Sequence, residues 1–186
     1  LFWFRRDLRL NDNHGLFAAL SQGKVIACFV WDSKILASLE LDNPRINFIQ
    51  QSLDKIKQQL QSFGSDLIIS NGNLEDELAK LVTKYQIKAI YWNEDYEPWA
   101  ITRDQNISIK FTQQGIACHN YKDHTIFAKR EILNQQAKPY TVYTPYKNTW
   151  LQKLNQQAYQ SYPSENLQAN FHQLPTQEQY FIPTEH

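Results

Sequence analysis

Two charged segments flanked by aromatic residues hold most of the side chains whose types and spacing could do chemistry. The first, Arg5-Arg6-Asp7-Leu8-Arg9, follows the apolar run Leu1-Phe2-Trp3-Phe4. The second reads Trp92-Asn93-Glu94-Asp95-Tyr96-Glu97-Pro98-Trp99 and closes another apolar run. Three arginines on one loop and three carboxylates on the other allow two arrangements. They satisfy one another in an ion-pair network that ties the loops together. Alternatively, they line a crevice for a flat, polar-edged ring, with the aromatics supplying stacking and the charges supplying orientation. The commoner catalytic sets are missing: there is no G-x-S-x-G, no G-x-G-x-x-G and no Walker loop. Ser70-Asn71-Gly72-Asn73 is a turn after a strand and a weak phosphate signal. His14, His119, His124, His172 and His186 show no metal-ligand spacing with one another or with cysteine, so no metal site is expected.

Stepping outward from these loops, the elements that must position them follow from hydrophobic periodicity. Val25 to Val30 is a continuous apolar run, as expected of a parallel strand covered on both faces. Ile46, Ile49, Leu53, Ile56, Leu60 and Phe63 recur every three or four residues and predict a long helix, with Pro44 near its start and Gly64 past its end. A strand at Leu67-Ile68-Ile69, a helix carrying Leu74 to Tyr85, a strand from Ile87 to Trp92, a helix from Pro98 to Gln114 and a strand from Ile116 to Tyr121 complete the alternation. The expected fold is α/β: a Rossmann-like, doubly wound five-stranded parallel sheet with helices on both faces, over residues 1–125. Chemistry is then expected at the carboxyl ends of the strands, where both charged loops lie. Cys28 and Cys118 fall on the second and fifth strands, roughly 14 Å apart at about 4.8 Å per strand. That is beyond the roughly 7 Å a disulfide allows, and both are expected as core residues.

A chain of 186 residues with 42% hydrophobic residues supports one substantial domain. Nineteen basic and nineteen acidic residues leave a formal net charge of zero, so a nucleic-acid surface would be a local patch. The apolar runs are too short for a membrane span, no signal peptide is visible, and a soluble, cytoplasmic monomer is expected. The start at an apolar strand without a methionine suggests that a few residues precede it. From 159 to 186 aliphatics thin out and Pro163, Pro175 and Pro183 punctuate the chain, which reads as a linker or an arm lying on something else.

Several blocks, in order, resemble the DNA photolyase and cryptochrome family. Phe2-Trp3-Phe4-Arg5-Arg6-Asp7-Leu8-Arg9-Leu10, then Asp12-Asn13, is similar to its amino-terminal signature. Arg45 and Phe48, the block Tyr91 to Pro98 with Arg103-Asp104, and Gln114-Gly115-Ile116 continue the match. Lys138 to Trp150, with Thr144-Pro145-Tyr146-Lys147-Asn148 at its heart, resembles the block that ends the family's α/β domain. The resemblance implies an antenna domain core over 1–125, its end over 126–158 and an interdomain linker over 159–186. A carboxy-terminal helical domain that holds FAD, absent here, would follow. It further implies a light-driven enzyme that splits cyclobutane pyrimidine dimers in ultraviolet-damaged DNA with reduced FAD. The alternative is a cryptochrome photoreceptor without repair activity, and a generic nucleotide-binding module is a third reading. No catalytic residue or electron-relay tryptophan is expected within this chain, and the fragment by itself is expected to be inactive.

The antenna chromophore is open in three ways. Arg45, Asp95 and Glu97 resemble positions that line the pocket of members binding a flavin or deazaflavin, with Trp99 as an aromatic wall. Trp31, bulky for its place after the second strand, would instead fill that pocket. Folate-binding members carry an asparagine-glutamate pair where Trp99 and Ala100 stand, which disfavours methenyltetrahydrofolate because its polar edge would lose its partners. Lys147, with Lys138 and Lys153 nearby, is read as bordering the DNA-facing side.

Overall fold

The structure, a computed structural model, describes residues 1–40, 43–176, 181 and 183. Five parallel strands, β1 (Phe2–Phe4), β2 (Ala27–Asp32), β3 (Leu67–Gly72), β4 (Ala89–Asn93) and β5 (Ala117–Tyr121), stand in the order β3-β2-β1-β4-β5. The chain winds outward from β1 in both directions, so the order reverses between β1 and β4. Phe2 lies opposite Ala27 on one side and Tyr91 on the other. Helices α1 (His14–Gln22) and α3 (Pro44–Ser62) bury Leu16, Leu20, Ile46, Leu53 and Leu60 on one face of the sheet against Phe2, Phe4 and Phe29. On the other face α4 (Leu74–Tyr85) and α5 (Pro98–Gln113) bury Leu78, Leu81, Ile107 and Phe111 against Trp3, Cys28 and Trp92. The expected α/β class, parallel sheet and two-sided covering are all present.

Local chemistry explains the boundaries. Asn13, Asn43 and Asn73 each cap the helix that follows, accepting from the amides of Leu16, Arg45 and Glu75. Gly64 and Gly115 take φ of 75° and 78° just after α3 and α5, the left-handed geometry that favours glycine. Two α-helices were not foreseen. These are α2 (Ser33–Leu36), capped by Asp32, and α6 (Tyr143–Lys153), which buries none of its residues.

Three expectations are corrected. The second strand is displaced by two residues from the run Val25–Val30, so Trp31 stands inside β2, not after it. It is buried on the α1/α3 face, edge-on to Phe29 with ring centroids 5.1 Å apart. Cys28 is fully buried, which pushes its thiol up to about 12, but Cys118 is only half-buried because β5 is an edge strand. The segment after 159, expected as a linker or an arm over something absent, lies as far as Leu174 on this domain itself. Tyr162 stacks on His14 at 3.6 Å, and Ser164 is buried with its hydroxyl donating to the Leu10 carbonyl. Phe171 is buried in the α1/α3 core, and its neighbours bridge to Val25. The far end of that segment, including His186, lies outside the described residues.

Candidate functional site at the carboxyl end of the sheet

The reversal of strand order places the ends of β1 and β4 side by side, and a buried polar network fills the gap. Asp7 accepts from the Arg5 amide at 3.0 Å, from Asn13 Nδ2 at 3.2 Å and from Asn93 Nδ2 at 2.6 Å. Asn93 Oδ1 in turn accepts from the Gly15 amide at 2.8 Å, which fixes the start of α1 to the end of β4. Asp7, Asn13 and Asn93 are each no more than 2% exposed. Buried polar groups that are this fully paired hold a single geometry, because leaving any one unpaired carries its full desolvation penalty.

The three arginines do not face one shared crevice. Arg5, nearly buried, bridges to Asp104 of α5 through 2.8 Å contacts and also donates to the Asn93 carbonyl. Arg6 reaches Asp95 at 3.2 Å and Glu97 at 2.5 Å. Arg9 pairs with Asp123 beyond β5 at 2.8 Å. The ion-pair network is therefore the arrangement the loops adopt. Glu97 is held below the usual carboxylate range by the Arg6 hydrogen bond and next by Trp99, whose indole Nε1 donates to it at 2.6 Å.

A second feature grows from the same network. Asp104 also accepts from Arg103 at 2.9 and 3.0 Å. The Arg103 guanidinium is sandwiched between two indoles, 4.9 Å from the Trp3 ring and 4.8 Å from the Trp99 ring. Beside Trp99 opens a crevice of about 510 Å³, lined among others by Asp32, Lys34, Asn73, Thr102, Arg103 and Asn106. Trp99 is 47% exposed there.

Of the residues expected at an antenna pocket, only Trp99 lines this crevice. Asp95 is buried and borders a separate cavity of about 180 Å³ near Trp92, Ser108 and Cys118. Glu97 acts on the crevice indirectly, through Trp99. Arg45 is exposed at the start of α3, where its amide and Nε donate to Asn43 Oδ1. Trp31 does not line the crevice and so does not fill it. Ala100 is fully buried, and Lys147 is exposed on α6 beside Tyr143, Tyr146 and Trp150. Sequence reasoning missed Arg103 as a structural partner of Trp99. Their spacing of four within one helix was the available signal, since it places both on one face. Among the described residues no group of three histidines, cysteines or carboxylates could hold a metal ion, and no helix is long and apolar enough to cross a membrane.

Comparison with known proteins gives this geometry a family. A deoxyribodipyrimidine photo-lyase from Synechococcus is 35% identical over 151 residues, covering 81% of this chain and 31% of that protein. A bacterial class III photolyase from Agrobacterium tumefaciens superposes with a TM-score of 0.74 at 25% identity, over 83% of this chain and 32% of its own. An archaeal photolyase from Sulfolobus tokodaii, solved with two FAD molecules, superposes with a TM-score of 0.61 at 32% identity, over 79% and 33%. The chain thus spans about a third of the length of these proteins. With the DNA photolyase family model matching residues 1–166, the chain belongs to the DNA photolyase family.

Proposed function

We propose that the chain is the amino-terminal α/β part of a deoxyribodipyrimidine photo-lyase, a light-driven DNA repair enzyme that splits cyclobutane pyrimidine dimers. The observation that carries this reading is the 35% identity over 151 residues to a protein of that name. The blocks 2–13 and 138–150 that resemble the family fall within the matched region. Reduced FAD, bound by a carboxy-terminal helical domain, would supply the electron that splits the dimer. In this division of labour the present residues do no bond chemistry. They hold a rigid platform at the carboxyl end of the sheet on which an antenna chromophore is carried. A flavin-type antenna is the finer reading, and the Sulfolobus tokodaii protein, solved with two FAD molecules, supports it. Damaged DNA, with the lesion flipped out to reach the flavin, and the protein's own FAD domain are its partners. It works as a cytoplasmic monomer.

The test is dimer repair in ultraviolet-damaged DNA by the complete protein with FAD reduced, under blue light and in darkness. Repair in light alone is expected. Its absence on both duplex and single-stranded substrates would move the assignment to a cryptochrome photoreceptor. Lys147 is exposed on α6 and is proposed to border the DNA. Lys147→Glu in the complete protein should then weaken damaged-DNA binding and reduce the salt slope by about 0.9 for the lost phosphate contact. An unchanged slope would remove Lys147 from the interface.

A further inference from the structure

Trp92 carries a polar group that the described residues leave unsatisfied. It stands in β4 opposite Asn120 of β5, 2% exposed, with its ring 6.1 Å from Trp3 on the α4/α5 side of the sheet. Its Nε1 is buried and meets no acceptor among the described residues. A buried donor without a partner carries its full desolvation penalty. Where the protein offers no acceptor, such groups are met by ordered water or a bound molecule.

The cavity of about 180 Å³ that Trp92 lines has the chemistry to meet it. Gln105 and Ser108 of α5 and Asn120 of β5 bring two carboxamides and a hydroxyl to its wall. The carboxylates around it are already paired: Glu94 with Lys129 at 2.7 Å, Asp95 with Arg6 at 3.2 Å, and Asp104 with Arg5 at 2.8 Å and Arg103 at 2.9 Å. An ionic ligand therefore gains no free counter-charge there. Among the described residues no group of three ligating side chains could hold a metal ion. An apolar ligand would strand the polar wall and the indole N–H alike. What fits is a neutral group that both accepts and donates a hydrogen bond. This cavity and the crevice beside Trp99 share no lining residue.

We infer that this cavity is a binding site for hydroxyl oxygen, which accepts from Trp92 Nε1 and donates to the carboxamide oxygen of Gln105 or Asn120. At about 30 Å³ of liquid volume for each water, it has room for a short chain of waters or for one polyol of glycerol size. Water and polyol are two sources of the same group. The site completes the layer between β4, β5 and α5 by satisfying a donor left open there. It goes beyond the proposed repair function and does not rest on it.

Magnetic resonance on the 186-residue chain with isotope-labelled indole nitrogens tests this. The five tryptophans give five N–H signals, and Trp92→Phe, or elimination with the other tryptophan-to-phenylalanine variants, assigns that of Trp92. Cross-relaxation from this proton to water, with the sign of a bound, long-lived molecule, is expected. Ser108→Leu sets a larger apolar side chain in the cavity wall and should abolish it. Unmoved signals from the remaining indoles confirm that the fold persists; where they move, Ser108→Val, which fills less of the cavity, takes its place. Titration with glycerol separates the two sources. A shift of the Trp92 signal that saturates identifies a polyol, whereas water cross-relaxation that glycerol leaves unchanged identifies water. Absence of both long-lived water and a saturating shift would overturn the assignment. A bound-water signal that survives filling of the cavity would overturn it as well.

Discussion

Gly15 stands where a methyl group has no room. A Cβ there would lie 2.6 Å from Asn93 Oδ1 and 3.1 Å from the Phe2 ring. The oxygen cannot retreat freely, since it accepts from the Gly15 amide while the other end of the same side chain donates to Asp7 and Asn13. Helix propensity alone favours alanine by about 1 kcal/mol, whereas overpacking typically costs about 1–3 kcal/mol and here also disturbs buried hydrogen bonds. Gly15→Ala is therefore expected to lower stability to urea by about 1–3 kcal/mol, and an unchanged midpoint would show that Asn93 yields. Glu97 gives a prediction in pH. Its folded carboxyl is held below its ordinary value of 4.5 by Arg6 and then by Trp99. A depressed carboxyl contributes fully above the ordinary value and loses that contribution as pH falls through the depressed one. Trp99 emission should accordingly be flat from neutral pH down to the ordinary carboxylate range and change only below it. Glu97→Gln should abolish that acid step, and an identical step in both proteins would assign it to another group. At this scale the sequence was half legible. Arginines opposite carboxylates announced ion pairs, but which arginine met which acid depended on the strand order. The asparagines that close the network carry no charge pattern to mark them.

Among the elements, α3 was the most readable, because its buried side chains repeat at helical spacing between Pro44 and Gly64. The same helix hides a feature that hydropathy misses: Lys57 lies in its buried stripe, 6% exposed, with Nζ 2.7 and 2.8 Å from the two oxygens of Asp66. Asp66, at the entry to β3, is fully buried and also accepts from the Leu67 amide at 2.8 Å. A buried pair contributes little over an apolar replacement, but removing one partner strands the other charge. Lys57→Met should thus cost about 3–5 kcal/mol in urea unfolding. Lys57→Met combined with Asp66→Asn should recover part of that loss. A double-variant loss equal to the sum of the separate Lys57→Met and Asp66→Asn losses would mean the pair is not coupled. The strands were legible as apolar runs, with the offset in β2 traceable to Val25, which is as apolar as a strand residue but bridges to Phe171 instead. Helix α6 was not legible, because none of its residues is buried and no apolar stripe marks it.

For the whole molecule, the segment from Ser161 to Leu174 decides how much chain one domain needs. Its composition, poor in aliphatics and broken by prolines, carries no periodic signal, so a linker was the natural reading. What attaches it is hydrogen bonding and a few rings. Asp12 Oδ1 accepts from the Ser161 hydroxyl at 3.0 Å and the Tyr162 amide at 2.7 Å, and Val25 exchanges backbone bonds with Asn170 and His172. Ser65 donates to the His172 carbonyl at 2.7 Å, and the Leu174 amide reaches Gly64. Phe171, 4% exposed, is the one large apolar anchor in this stretch that is as buried as the core it joins. If the segment is part of the fold, Phe171→Ala should destabilise the entire domain by about 3–5 kcal/mol, as for a core phenylalanine. The amides of Val25 and His172 should then exchange with solvent as slowly as those of the sheet, because they open only with it. A strap merely draped over a finished domain behaves differently: Phe171→Ala would cost under about 1 kcal/mol, within the range of surface substitutions. Both amides would then exchange at loop rates while β2 stayed protected. The first result makes the region after Tyr159 an integral layer of the α/β domain. The second restores the linker.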